Sequence, residues 1–258
     1  MNVYGWQGKA GLAYQTSQEA LRLAEESGDM MSKATAYTSH GYSCLFKGFL
    51  DEGEEHLLKA RDSCDRMNLL WFGAFANLGL GEVYFDRGEY QKCQDYYDKA
   101  ISLGERGRLS GSWISCCRVA LARAKVLNNE KDVDLESLYQ IEAGNKIKLL
   151  DGWIPRYIAE ILLNIDDRHM AEAEAWVKKA IEADKRNGTM GDLGMAHALY
   201  AELLKRKGDL PGAKEKLNKA IEIYKECGAD GWLKKAQDDL AAIEKPVRKR
   251  SRGSGHQK

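Results

Sequence analysis

Proline is scarce in this sequence. Only three occur in 258 residues, at Pro155, Pro211 and Pro246, so long stretches lack the strongest helix breaker. Hydrophobic residues make up 44% of the chain and charged residues 30%, which is typical of folded rather than disordered chains. Helix is therefore the expected secondary structure, and the chain has enough apolar residues to form a core.

Net charge and long apolar runs are also missing. Lys and Arg number 39, as do Asp and Glu, so no overall field favours nucleic acid or an anionic membrane as a partner. The most apolar run, residues 69–81, falls short of the ~20 residues that a membrane span needs. Residues 245–258 are basic without a compensating acid. We expect them to form a disordered tail that binds nucleic acid weakly at most.

Sequence motifs typical of catalytic, metal-binding and cofactor-binding sites are absent as well. The six cysteines form no CxxC pair and follow no secretory leader, which favours reduced thiols in the cytoplasm. The histidines show neither HxxxH nor HExxH spacing, and no glycine-rich phosphate loop follows a strand pattern. We therefore expect no metal, no cofactor and no enzymatic activity.

What the sequence does contain is a 40-residue repeat. One series of small residues comprises Ala20, Ala60, Ala100, Ala180 and Ala220. A second series comprises Gly48, Gly88 and Gly208, with Asn128 and Arg168 at the two intervening places. A third comprises Gly41, Gly81, Leu121, Ile161 and Ala201. Within each unit, apolar residues recur at steps of three and four, so each unit is predicted to be a helical hairpin with its turn at the second series.

These hairpins predict an all-α fold. We expect a right-handed superhelical solenoid over residues 1–244, with five to six hairpins, at least ten helices and no sheet. The first hairpin is incomplete, and a last helix over Gly231–Glu244 caps the stack. The hairpin between Trp113 and Leu150 is irregular, since Gln140 occupies its alanine position.

The stretch Asn77–Ile101 resembles the tetratricopeptide pattern through Leu80-Gly81, Tyr84, Gly88, Tyr97 and Ala100. The period is longer than the usual ~34 residues. In its longer period and in the segments LAEESGD and IYKECGADGWLKKA, the chain resembles the C-terminal tetratricopeptide arrays of bacterial signalling ATPases, adenylate or guanylate cyclases and maltose-activator-type regulators. The resemblance implies a sensor or partner-binding segment that acts on an upstream output domain.

The first helix of each hairpin lines the concave groove of a tetratricopeptide superhelix. The exposed positions of this helix, repeated every 40 residues along the chain, give a set of candidate ligand-binding residues. They are Thr38, Tyr42, Phe46, Leu78, Glu82, Phe85, Arg118, Lys125, Leu162, Glu202 and Arg206. This mixture of apolar, aromatic and charged residues favours a peptide or protein segment as the partner.

Two alternatives remain open at this stage. The chain could be a small-molecule sensor, which a pocket closed by Trp113 and Trp153 would favour. It could instead be an oligomerisation module, because the incomplete first hairpin would leave an apolar face of the helix Gly11–Ser27 unpaired. The mass of the protein in solution separates this second alternative from the others.

Overall fold

The computed structural model describes residues 3–244, and the predicted tail at residues 245–258 lies outside them. The described chain consists of thirteen α-helices and one 3-10 turn at Asp167–His169, without a strand. The helices are α1 (Val3–Trp6), α2 (Ala10–Ser27), α3 (Met30–Lys47), α4 (Leu50–Met67), α5 (Leu70–Asp86), α6 (Tyr90–Arg106), α7 (Gly111–Leu127), α8 (Leu135–Ala143), α9 (Leu150–Ile165), α10 (Met170–Asn187), α11 (Met190–Arg206), α12 (Leu210–Cys227) and α13 (Asp230–Glu244). The prediction of an all-α fold with at least ten helices is confirmed.

Helices that follow one another in the chain pack together as hairpins. The first helices of the hairpins are α3, α5, α7, α9 and α11, and the second helices are α4, α6, α8, α10 and α12. First helices of neighbouring hairpins also touch, as α3 does with α5 and α9 with α11. The hairpins therefore stack in sequence order, which is the arrangement of a tetratricopeptide-like solenoid.

The turns lie where the glycine series predicts them. Gly48, Gly88 and Gly208 have φ of 77°, 76° and 82°, a left-handed conformation that glycine adopts without a steric penalty. After α5, the amide of Gly88 donates to the carbonyl of Phe85 at 2.9 Å, and the amide of Glu89 donates to that of Tyr84 at 2.9 Å. The last carbonyls of the helix are thus paired, and the chain reverses into α6.

Small residues let the helices of a hairpin approach closely. In the alanine series, Ala60, Ala100, Ala180 and Ala220 are at most 1% exposed. Ala20 is exposed, since only the four-residue α1 precedes its helix. Gly81 faces the ring of Tyr97, which a Cβ at this position would overlap. Larger side chains at these positions would force neighbouring helices apart.

The fourth hairpin is irregular, as Gln140 predicts. Its second helix, α8, has only nine residues and is capped at its start by Asp134, whose carboxylate accepts from the amide of Ser137 at 3.1 Å. Because α8 is short, α7 packs directly on α9. This contact brings together the rings of Trp113 and Trp153, whose centroids are 6.2 Å apart.

The two ends of the solenoid meet. The indole of Trp232 on α13 donates to the carbonyl of Leu45 on α3 at 2.7 Å, and the ammonium of Lys47 donates to the carbonyl of Gly228 at 2.7 Å and pairs with Asp230. Between the same two elements, the backbone of Gly231 lies against that of Gly48. The sequence predicts only that the last helix caps the stack. In the structure this helix also closes the superhelix against the first complete hairpin, so the concave face is not an open groove.

The helix predicted over Gly11–Ser27 packs one face on α3. On its outer side, Leu12 and Leu23 remain 41% and 52% exposed, and whether a second copy covers them stays a prediction. No helix within residues 3–244 combines the length and apolar character that crossing a membrane requires.

Candidate functional site

Closure of the superhelix forms a central cavity of about 330 Å³ that remains partly open to solvent. Its wall comes mainly from the first helices of the hairpins and from α13. The aromatic residues of the wall are Tyr42, Phe46, Phe85, Trp153, Tyr157, Tyr224 and Trp232. The charged residues are Glu82, Asp86, Arg123, Arg156, Glu160, Asp192, Glu202, Lys235 and Asp239. An apolar cavity of this size with a few convergent polar groups is typical of a ligand site.

The guanidinium of Arg123 is the centre of the ionic network. It lies between two aromatic rings, 3.5 Å from the centroid of Phe85 and 3.8 Å from that of Tyr157. Its nitrogens donate to Glu82 at 2.9 Å and to the hydroxyl of Tyr97 at 3.1 Å. Burial opposes ionisation of Glu82, but Arg123 and Tyr97 outweigh it and lower the pKa of this carboxyl. Cation–π contacts and paired hydrogen bonds thus stabilise a side chain that is 2% exposed.

A second network joins α9 to α11. The indole of Trp153 donates to the carboxylate of Asp192, and Arg156 lies 3.6 Å from the same carboxylate. Burial raises the pKa of Asp192, and Arg156 reduces this effect. Behind the cavity wall, the fully buried Asp184 lies against the backbone of Gly152. Two carboxyl groups therefore share one poorly solvated region beside the cavity.

Asp86, at the end of α5, is a buried acidic residue of the cavity wall without a direct partner. Within residues 3–244, its carboxylate makes neither a hydrogen bond nor an ion pair. Burial raises the pKa of Asp86 to about 6, while Lys235 lowers it and Glu82 raises it. This carboxyl faces the cavity, and its pKa lies above that of an exposed aspartate.

The cavity carries more negative than positive groups. Six acidic side chains line it, against the three basic ones Arg123, Arg156 and Lys235. The Nε atoms of Arg123 and Arg156 have no hydrogen-bond partner, but both are buried out of contact with solvent, so a ligand in the cavity cannot reach them. The groups that a ligand can reach therefore favour a cation.

The predicted groove residues separate into those that line the cavity and those that do not. Tyr42, Phe46, Glu82, Phe85 and Glu202 line it. Thr38 lies in a neighbouring apolar pocket of about 180 Å³ beside Trp6 and Trp71. Leu78 and Leu162 are 2% and 0% exposed in the core. Arg118 and Lys125 are exposed on α7, and Arg206 reaches the carbonyl of Leu163 at 2.8 Å. Ligand binding by any of them stays a prediction.

Several residues of the site are not predicted by the repeat pattern. Asp86, Arg123, Arg156, Asp192 and Trp232 line the cavity but are not among the candidates. A usable signal is present for the arginines, because an Arg in the middle of a predicted first helix, among apolar neighbours, is unusual for a solvated surface. Trp232 lies on the predicted last helix, whose position against α3 no local pattern encodes.

No family model matches the sequence, and no curated protein matches it. Among solved structures, the chain is similar to YrrB, described as a tetratricopeptide protein with an unusual peptide-binding site, with 19% identity and a TM-score of 0.42 over 86% of this chain and 100% of that one. It is also similar to BtubC from P. vanneervenii, with 14% identity and a TM-score of 0.34 over 97% of each chain. The 40-residue period and the sequential hairpins define this chain as a tetratricopeptide-like helical repeat protein.

Proposed function

We propose that this chain is a non-catalytic binding module whose central cavity receives a positively charged group on an apolar stem, such as the lysine or arginine side chain of a peptide segment. The observation that supports this most directly is the unpartnered carboxylate of Asp86 in an aromatic cavity. A cation placed there would form an ion pair that is poorly screened by water. The aromatic walls suit the stem of the same side chain.

The dimensions of the cavity limit what can enter. About 330 Å³ is at the small end of ligand pockets, so the cavity holds one or two side chains rather than a folded partner. A peptide would insert a basic residue and leave its flanking residues at the rim. Any peptide partner of the cavity has to meet this size limit, which favours short linear segments.

The first experiment measures binding of short acetylated and amidated peptides by the fluorescence of the tryptophans. Trp153 and Trp232 line the cavity, so an occupant changes their emission. One peptide places a lysine between two apolar residues, and its partner replaces that lysine with norleucine. We expect the lysine peptide to bind at least about tenfold more tightly, since a hydrogen bond to a charged group contributes about 1.5–3 kcal/mol.

The matched variants are Asp86→Asn and Asp98→Asn. Asp98 is exposed on the outer helix α6, so its neutralisation should leave binding unchanged. Asp86→Asn keeps the shape of the side chain and removes its charge, and we expect it to abolish the preference for lysine. Because the pKa of Asp86 is about 6, affinity of the wild type should rise as the pH passes through that value, and the variant should lack this rise. Equal preference in both variants would refute the proposal.

A second candidate function is the sensing of a small effector, and α13, which forms one side of the cavity wall, favours it. The chemistry is the same, because a free amine on an apolar body would use the same carboxylate and rings. Butylamine and benzylamine serve as probes in the same titration. Binding of these amines without binding of the lysine peptide would assign the cavity to a small molecule. In that case we infer a regulatory segment of a larger signalling protein, as the resemblance to signalling arrays implies.

A further inference from the structure

Two histidines and a glutamate meet in the first complete hairpin, away from the central cavity. His40 lies on α3, while Glu52 and His56 lie one turn apart on α4. The Nε2 atom of His40 is 3.2 Å from Oε1 of Glu52, and Nε2 of His56 is 3.9 Å from the same oxygen. One donor atom from each residue lies within 4.8 Å of the other two. None of the three side chains lines the cavity.

The neighbours of His40 suit a metal-bound imidazole. The hydroxyl of Ser17 lies 2.9 Å from Nδ1 of His40 and 3.0 Å from the carbonyl oxygen of Tyr14. It can therefore accept a hydrogen bond from Nδ1–H while donating its own proton to that carbonyl. In this tautomer the Nε2 lone pair of His40 is free and points toward Glu52. Such an outer hydrogen bond, which fixes the tautomer and orientation of the ring, is the usual companion of a metal-binding histidine.

His56 and Glu52 complete the donor set. His56 makes no hydrogen bond to any residue in the described part of the chain, and its Nδ1 is buried. Its Nε2, the nitrogen that lies 3.9 Å from Glu52, also has no hydrogen bond within residues 3–244, so it is available to a metal ion. Glu52 accepts from the hydroxyl of Tyr14 at 2.8 Å and 3.1 Å, which holds the carboxylate between the two imidazoles.

We propose that His40, Glu52 and His56 bind a divalent transition-metal ion of the Zn²⁺ type. Ligand atoms that share one Zn²⁺ at about 2.0–2.2 Å lie roughly 3–3.6 Å apart. The separation between His40 and Glu52 already fits, and His56 has to move closer to both partners. Two imidazoles and one carboxylate favour Zn²⁺ over Mg²⁺, which prefers oxygen ligands. The ion would join α3 to α4 and, through Ser17 and Tyr14, brace α2.

The test is a calorimetric titration of the untagged full chain with ZnCl₂ and, separately, with MgCl₂. We expect about one equivalent of Zn²⁺ to bind and no measurable binding of Mg²⁺. The variant His56→Gln should weaken Zn²⁺ binding at least tenfold. Its control is His169→Gln, because His169 is a half-buried histidine beside the single carboxylate of Glu172, at 3.4 Å, without a second imidazole. That control should bind Zn²⁺ as the wild type does.

The choice of His56 keeps the test decisive. Since His56 makes no hydrogen bond within residues 3–244, its replacement should leave the helical circular dichroism unchanged, and a loss of binding then reports the site. As a second readout, Zn²⁺ should raise the melting temperature of the wild type and leave that of His56→Gln unchanged. Undetectable Zn²⁺ binding, wild-type affinity in His56→Gln, or equal binding of Mg²⁺ would each overturn the proposal.

Discussion

Among single residues, the least expected feature is the buried carboxyl group of Asp184, because only one of its two oxygens has a hydrogen-bond partner. Asp184 is fully buried; one carboxylate oxygen accepts from the hydroxyl of Thr189 at 2.6 Å, and the other has no partner. Burial, and then the charge of Asp192, raises the pKa of Asp184. The native protein therefore keeps this carboxyl protonated at a pH where the unfolded chain has released the proton.

The first prediction follows from the direction in which this pKa moves on folding. A carboxyl with a raised native pKa contributes stability that is fully present below its unfolded pKa of about 3.9 and is lost as the pH rises through the native value. The variant Asp184→Asn stays neutral at every pH and keeps the oxygen that accepts from Thr189. We expect it to match the wild type near pH 4 and to be more stable near pH 8, by about 1.4 kcal/mol for each pH unit that separates the native pKa from the unfolded one. Thermal melts across this range measure the difference.

The control for this comparison is Asp98→Asn, on the exposed face of α6. Its stability relative to the wild type should not depend on pH. If Asp184→Asn were instead less stable than the wild type at pH 8, Asp184 would be ionised in the native protein, and the electrostatic attraction of Arg156 and the hydrogen bond from Thr189 would have to outweigh burial.

The second prediction concerns the alanine series. Ala100 is 1% exposed on α6, so Ala100→Leu should destabilise the protein by about 1–3 kcal/mol through overpacking. The control is Lys99→Leu at the neighbouring exposed position, where the added side chain meets solvent and the effect should stay within about 0.5 kcal/mol. Urea unfolding of both variants gives the two free energies. Equal effects would mean that Ala100 does not face the neighbouring helix.

The sequence predicted cavity residues only where the period is regular. The transfer by 40 residues found Tyr42, Glu82 and Glu202, which line the cavity. It missed Arg123, because Arg123 follows Glu82 by 41 residues rather than 40. At α7 the transferred face gave the exposed Arg118 instead. A one-residue change of phase rotates a helical position by about 100°, and the irregular fourth hairpin is where that change occurs.

At the scale of the element, α13 is the helix whose role differs most from its prediction. Its boundaries were predicted closely, as Gly231–Glu244 against the observed Asp230–Glu244. Local periodicity is enough to predict these boundaries, because the apolar residues on one face of a helix recur at steps of three and four. Its contact with α3 was not predicted. That contact depends on the rotation from each hairpin to the next, summed over the whole solenoid. No single segment of the sequence determines this sum.

The third prediction tests this contact through a matched pair of glycines. Gly231 is the second residue of α13, and a methyl group there would overlap the carbonyl oxygen of Gly48. Gly191, which is 40 residues earlier, is the second residue of α11 and has no atom within 4 Å of an added methyl. We expect Gly231→Ala to lower the melting temperature, since the two backbones must separate. Gly191→Ala should leave it unchanged or raise it, because alanine favours helix by up to about 1 kcal/mol.

Hydrogen exchange locates the effect of these variants. In Gly231→Ala, amides of α13 and of the last turn of α3 should exchange faster, and those of α6 should not change. A melting temperature that responds equally in both variants would mean that the approach of Gly231 to Gly48 is not what limits stability.

At the scale of the whole molecule, closure makes two distant parts of the chain neighbours. Leu45 and Lys47 contact Trp232, Gly228 and Asp230, across more than 180 residues of sequence. In an open solenoid each hairpin is stabilised only by its neighbours in sequence. In this chain the first complete hairpin also depends on the last helix, and the wall of the cavity is complete only while the two are in contact.

The last prediction uses truncation to distinguish a closed solenoid from an open one. Ending the chain at Ala229 removes α13, whereas ending it at Glu244 removes only residues 245–258. In the shorter chain we expect faster hydrogen exchange in two places. One is α12, which packs on α13, and the other is the last turn of α3, which loses Trp232 as the partner of Leu45 and Asp230 as one of the two partners of Lys47. The cavity also loses Trp232 and Lys235 from its wall, so the lysine peptide should bind more weakly. The chain ending at Glu244 should retain the exchange pattern and melting temperature of the full protein. Faster exchange confined to α12 would show that the solenoid is open in solution, because an open stack transmits the loss of its last helix only to the adjacent one.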